Sequence, residues 1–241
     1  MFFFKKFYKL LKLLKFKLWR KGLLNGIAAS IELEKMLKNI NPETVIDIGS
    51  NKGQFVMLIE RLFPNKIIYS FEPILEVLEK QKKFFNYKKN IFFYNFALGS
   101  GAFTEDFYIT KSADNSSFFK AKKSGNKNKK FEIKEKKNIQ IKTLDEVIIN
   151  EKIIGPVLMK IDVQGYELEV LKGSENMLKK IEYILLEVSE TEVYENQPLS
   201  DRIITFLQKR NYQILIQNRP TKIEKTNFIQ MDILFQKQLS K

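Results

Sequence analysis

The sequence predicts a doubly wound α/β domain with a mostly parallel sheet and an antiparallel hairpin at its C-terminal edge. Three observations predict it. From Thr44 onward short β-rich runs alternate with helix-like ones, the first run enters its helix through a glycine loop, and the last two runs have no helix between them. Thr44 to Ile48 reads as a buried strand, Gln54 to Phe63 as a helix closed by Pro64, and Lys66 to Phe71 as the next strand. A helix from Ile74 to about Asn86 and a strand from Ile91 to Phe96 follow. After Gly99 the rhythm breaks, and Phe103 to Thr110 and Phe131 to Ile141 read as strands flanking a polar Lys/Ser/Asn/Gly loop, either an insertion across the mouth of the fold or a disordered flap. Alternation resumes with a short helix at Leu144 to Ile149, a strand Val157 to Val163, helical residues through Lys179 and a strand Tyr183 to Val188. A helix from Ser200 to Lys209 precedes the final strands, Gln213 to Gln217 and Phe228 to Phe235.

At 241 residues with 44% hydrophobic content, the chain is long enough for a sizeable core. It contains neither cysteine nor histidine. Disulfides, thiolate nucleophiles, Ser-His-Asp triads and His- or Cys-ligated zinc are therefore excluded. Chemistry must come from carboxylates, Lys, Tyr, hydroxyls or a cofactor with its own reactivity. The net charge of +14 sits in two places. Residues 1–30 carry eight bases and no acid, residues 120–142 carry ten lysines against Glu132 and Glu135, and the remainder is slightly acidic.

The basic N-terminus divides into two faces when placed on a helical wheel. Phe3, Phe7, Leu10, Leu11, Leu14 and Leu18 fall on one side and Lys5, Lys9, Lys12 and Arg20 opposite, with Leu13 and Phe16 interrupting the polar face. The segment is too charged to span a bilayer and lacks the apolar stretch and cleavage site of a signal peptide. It fits a helix lying on an anionic membrane surface, or one packing its aromatic stripe on the domain. Residues 1–40 are thus expected to form a basic helical extension and residues 41–241 the α/β domain, with a Lys-rich insertion at about 111–142.

Four strand ends carry the candidate chemistry. In Val45-Ile46-Asp47-Ile48-Gly49-Ser50-Asn51-Lys52-Gly53-Gln54, Gly49 permits a tight turn, Gly53 a close approach at the helix start, and Asp47 can accept from a cationic amine. The pattern is G-x-x-x-G, not the G-x-G-x-x-G that leaves helix amides for a pyrophosphate, which disfavours a nicotinamide dehydrogenase. Glu72 ends the second strand in Tyr69-Ser70-Phe71-Glu72-Pro73, where a carboxylate can accept both ribose hydroxyls of a nucleoside, cap the next helix, or do both. On the ribose reading, Glu72→Ala is expected to weaken cofactor binding and leave the fold intact. Asp162 ends a strand beside Gly165 and can act as a base or as a helix cap. Lys160, two residues back, points the same way, and Glu187 ends the next strand. Asp162 and Glu187 could also hold a divalent ion, but no further ligands are identified and no metal is assigned.

These blocks, with Asn95-Phe96-Ala97-Leu98-Gly99, Leu158-Met159-Lys160-Ile161-Asp162-Val163-Gln164-Gly165-Tyr166-Glu167 and Leu185-Leu186-Glu187, resemble in order and spacing the signatures of the FkbM family of methyltransferases from about Thr44 to Tyr212. Ser50 departs from the alanine usual there. The Lys-rich flap and basic arm lie outside the resemblance. It implies a class I methyltransferase (Rossmann-like) sheet binding S-adenosylmethionine, with Asp47, Gly49, Asn51 and Gly53 at the methionine end, Glu72 at the ribose and Asn95, Ala97 and Leu98 at the adenine. Family members methylate hydroxyls of sugars or polyketide-like metabolites. The expectation is a cytoplasmic O-methyltransferase acting on a glycan or small-molecule hydroxyl, peripheral at the inner membrane surface through residues 1–21, with Asp162, Glu187 and Lys160 as catalytic candidates. Two other classes compete: an RNA methyltransferase, suggested by the basic segments but lacking an Asn-Pro-Pro-aromatic motif, and a non-catalytic membrane-associated module, disfavoured by the intact loop and strand-end acids.

Overall fold

The structure, a computed structural model, describes residues 2–123 and 127–238, with side chains from residue 7 onward. Helices α1 (Phe2–Leu13), α2 (Lys17–Leu24) and the short α3 (Glu34–Leu37) precede the sheet. Then follow β1 (Thr44–Ile48), α4 (Gln54–Leu62), β2 (Ile67–Phe71), α5 (Leu75–Phe84), β3 (Ile91–Tyr94), β4 (Ala97–Leu98), β5 (Phe103–Thr110), β6 (Ile133–Lys142) and α6 (Leu144–Ile148). The chain continues through β7 (Val157–Ile161), α7 (Glu167–Lys172), β8 (Tyr183–Ser189), α8 (Ser200–Gln208), β9 (Tyr212–Gln217), β10 (Thr221–Lys222) and β11 (Ile229–Lys237).

The main sheet runs β10-β11-β8-β7-β1-β2-β3, with β9 also pairing β11. Strands β3, β2, β1, β7 and β8 are mutually parallel, as the alternating pattern predicts. Every residue of β1 and β7 is buried because helices cover both sheet faces. Alternation along each strand sorts the core. Ile46, Ile48, Met159 and Ile161 pack on one face with α7 and α8, whereas Val45, Leu158, Leu185 and Leu234 pack on the other with α4 and the N-terminal helices. The predicted C-terminal hairpin is antiparallel, but its last strand is not at the edge. β11 inserts between β8 and β9, pairing both antiparallel.

The extension is tied to this second face. Trp19 is fully buried and donates through Nε1 to the Met57 carbonyl of α4 at 3.1 Å. The single helix suggested by the wheel breaks at Leu14–Phe16, so α1 and α2 orient separately. Strands β4, β6 and β5 form a second, three-stranded sheet. Its apolar residues Phe107, Ile109 and Ile141 pack with Phe118 and Tyr166 beside the strand ends of the main sheet.

Candidate active site

A cavity of about 560 Å³ opens at the C-terminal ends of β1, β2, β7 and β8. Ligands of open α/β sheets bind in this position. Of the residues predicted from sequence, Gly49, Asn51, Glu72, Ala97, Leu98, Lys160, Asp162 and Glu187 line it. Asp47, Gly53 and Asn95 stand behind the wall.

The loop after β1 explains the glycines. Gly49 has φ of +76°, and a Cβ there would fall 2.0 Å from the Asp162 carbonyl oxygen, so the β1 and β7 ends can meet only through glycine. Gly53 caps α4 in the left-handed region, with the Phe85 ring 2.7 Å from where its Cβ would lie. Asn51, also left-handed at φ 49°, donates its side-chain amide to Asp114 at 2.7 Å and links the loop to the insertion.

Asp47 and Lys160 are register partners on neighbouring strands and therefore share a face. The Lys160 ammonium lies 3.4 Å from Asp47 and 3.3 Å from Asp162. The pairing of Lys160 with Asp162 follows from their spacing of two along the chain, whereas Asp47 was expected to meet a ligand amine. It is 0% exposed and faces Lys160 instead. Burial raises the Asp47 carboxyl above its ordinary range against the pull of Lys160. For Lys160 burial acts downward, but Asp162 and Asp47 outweigh it and hold the ammonium firmly charged.

Asp162 does not cap α7. Glu167, the first residue of α7, instead ties down the turn that precedes the helix, accepting from the amides of Gly165 at 2.9 Å and Val163 at 3.3 Å. The Asp162 carboxylate, about one-third exposed, faces the cavity. Gln164 donates to it at 2.7 Å and to Glu187 at 3.2 Å, while its own amide oxygen accepts from the Tyr194 hydroxyl at 2.9 Å. Gln230, from β11, makes a further bond to Glu187 at 3.1 Å. Burial first, then the charges of Asp162, Asp232 and Glu167, push the Glu187 carboxyl well above its ordinary range. Burial and neighbouring charge thus favour proton uptake at Glu187, whereas Asp162 has a cation beside it.

Glu72 clasps two loops, its oxygens accepting from Asn51 N and Ile74 N, each at 2.9 Å. Asn95 donates to the carbonyls of Glu72 and Pro73, each at 3.0 Å, and so shapes this turn from outside the cavity. These bonds correct the expectation that Glu72→Ala leaves the fold intact. The variant strands two amide donors, each worth about 1–3 kcal/mol when unsatisfied, so lowered urea stability should accompany any loss of ligand affinity. Glu72→Gln retains an acceptor and should separate the two effects in calorimetric titration; full stability of the alanine variant would contradict the clasp.

Burial raises the Glu72 and Glu167 carboxyls from 4.5 to about 7, and Asp232 from 3.8 to about 6. The folded state therefore holds protons that the unfolded chain releases. Stability from these groups is complete below the unfolded values and is lost as pH rises through about 6 to 7. Glu76 and Glu132, lowered by their lysines, oppose this weakly because they are exposed. The urea midpoint should fall between about pH 5 and about pH 8; a rise would refute the assignment.

The wall fits S-adenosylmethionine. Glu32, Glu72, Asp114, Asp162 and Glu187 outnumber Lys9, Lys52 and Lys160 on it, despite the basic chain, which suits a cationic ligand. The buried Gln54 Oε1 at its edge accepts no hydrogen bond from the described residues and is available to a ligand amine. Phe71, Phe96 and Leu98 offer an apolar wall for a flat base. Sequence reasoning missed Gln54, Gln164 and Gln230. Gln164 stands within a quoted block, but a role for Gln230 depends on β11 crossing to β8.

Comparison with known proteins agrees with this geometry. Residues 47–214 match the methyltransferase FkbM domain. The hexuronic acid methyltransferase AglP of Haloferax volcanii is 38% identical over 53 residues, a segment covering 21% of this chain and 22% of that enzyme. Among solved structures, Sp1610 of Streptococcus pneumoniae, a candidate tRNA (m1A22) methyltransferase, superposes with TM-score 0.51 at 14% identity, covering 89% of this chain and 72% of that one. TehB from Haemophilus influenzae gives TM-score 0.50 at 9% identity, covering 86% and 61%. At such identities the structural likeness establishes the fold alone. The domain match spans well over half of the sequence and takes in all four strand-end acids: the chain belongs to the FkbM methyltransferase family.

Proposed function

We propose that this S-adenosylmethionine-dependent methyltransferase modifies a hydroxyl of a sugar or related metabolite, with residues 41–241 as the catalytic domain and Asp162 as the base. The observation that carries the reading is the Asp162 carboxylate, facing the cavity between the Lys160 ammonium and the Gln164 amide. When bound, the cofactor supplies a methyl group already activated by its sulfonium. Gly49, Asn51 and Gln54 would hold its aminoacyl end, Glu72 the ribose hydroxyls, and Phe96, Ala97 and Leu98 the adenine. Asp47 and Gly53 shape the loop beneath it. Asp162 orients the acceptor hydroxyl and takes its proton as the new bond forms. Lys160 and Gln164 hold the Asp162 carboxylate in place, and Glu187 lines the cavity beside it.

A sugar acceptor draws support from the segment shared with AglP, a hexuronic acid methyltransferase by name. An RNA acceptor draws less, because Lys122, Lys136 and Lys137 of the Lys-rich segment face Glu192, Asp106 and Glu76. Incubation with methyl-labelled S-adenosylmethionine and separated glycan, metabolite and RNA fractions tests the choice. Label in a base-stable methyl ether of the glycan or metabolite fraction is expected. Label in RNA, or on nitrogen, would overturn the reading.

A further inference from the structure

Helix α1 is seated in the opposite sense to an ordinary amphipathic helix on a protein core. Its inward stripe is Lys9, Lys12 and Leu13, at i, i+3 and i+4, and Phe16 follows in the turn that leads to α2. Lys9 pairs with Glu32 at 2.8 Å, Lys12 pairs with Glu34, Leu13 is buried, and Phe16 packs against Trp19. The residues that spoil the polar face of the wheel, Leu13 and Phe16, are therefore the ones that anchor the helix. The parallel stripe of Phe7, Leu10, Leu11 and Leu14 faces solvent, each side chain 46–53% exposed, with Tyr8 beside it at 65%. Lone exposed apolar residues are normal, but a contiguous stripe marks an interaction surface.

We propose that this stripe docks the enzyme onto an anionic lipid bilayer. Charge complementarity selects that occupant: residues 1–30 hold eight bases and no acid, and Lys15 and Lys17 stand exposed next to Leu14. Among the described residues no helix is long and apolar enough to cross a membrane, so the contact lies in the interface plane. Lys9, on the inward stripe of the same helix, lines the cavity. A docked surface therefore lies within about one helix diameter, roughly 10 Å, of the cavity rim. The proposal is independent of which atom receives the methyl group.

Flotation with vesicles of phosphatidylcholine alone, or mixed with phosphatidylglycerol, tests it on the full chain. Wild-type protein should float with the mixed vesicles, and added salt should release part of it. A Phe7→Ser/Leu10→Ser/Leu14→Ser variant should bind on the order of 100-fold more weakly. Lys15→Gln/Lys17→Gln should lose about fivefold per base. Unchanged affinity of the triple variant for S-adenosylhomocysteine would show that its fold and cofactor site are intact. No flotation of the wild type, or equal flotation of wild type and triple variant, overturns the proposal. So does a wild-type dimer, in lipid-free sedimentation, that the triple variant abolishes, because a second copy would then cover the stripe.

Discussion

Lys160→Met should destabilise the fold by about 3–5 kcal/mol, the usual effect of removing one partner from a buried ion pair. Asp47 is fully buried on the register-paired position of β1, and Lys160 is its nearby cation. Methionine fills similar volume but leaves the carboxylate uncompensated. Asp47 must then stay protonated in the folded state, so the deficit should shrink as pH falls toward the ordinary carboxylate pKa of ~3.9. Adding Asp47→Leu to Lys160→Met should recover much of the loss, since an apolar pair of matching size is often as stable as the ion pair it replaces. Urea unfolding of both variants checks this. A loss below about 1 kcal/mol, typical of a solvent-screened surface pair, would mean that Asp47 is hydrated.

Asp162→Asn is expected to lower methyl transfer roughly 10²-fold or more, the usual scale for losing a general base. Stability should fall far less than in Lys160→Met, because Asp47 remains as the buried partner of Lys160, Asp162 is about one-third exposed, and Glu167 rather than Asp162 holds the turn before α7. Asparagine can still face Lys160 and Gln164, so geometry is largely kept while basicity is lost. Affinity for S-adenosylhomocysteine should stay within a few fold. Label transfer to the active fraction, followed beside calorimetric binding, separates chemistry from binding. A variant that transfers methyl at near wild-type rate would remove Asp162 as base, and Glu187 would be the next residue to replace.

What the sequence made legible was mostly local. Strand ends are readable because an acid after a buried β-branched run has nowhere to go but the sheet's C-terminal rim, which placed Glu72, Asp162 and Glu187. The spacing of two placed Lys160 beside Asp162. The approach of Lys160 to Asp47 was not legible because the two lie more than a hundred residues apart and only the β1–β7 register brings them together. Gln230 reaches Glu187 only through the β8–β11 pairing, which no local pattern encodes. The inward face of α1 was hidden for a similar reason: a wheel ranks faces by hydrophobicity, but Glu32 and Glu34 select the lysine face.

The placement of β11 between β8 and β9 carries a consequence for how the molecule is made. As the chain leaves the ribosome, β8 emerges with its outer edge open, since among the described residues only β11 pairs with that edge. An unpaired, apolar strand edge such as Tyr-Ile-Leu-Leu is a template for wrong partners, and pairings distant in sequence close slowly. Until β11 slides into the gap, Glu187 also lacks Gln230 and its register partner Asp232. Nascent chains stalled just before Ile229 should therefore remain protease-sensitive and dependent on chaperones, with the candidate pocket among the last parts of the protein to take shape.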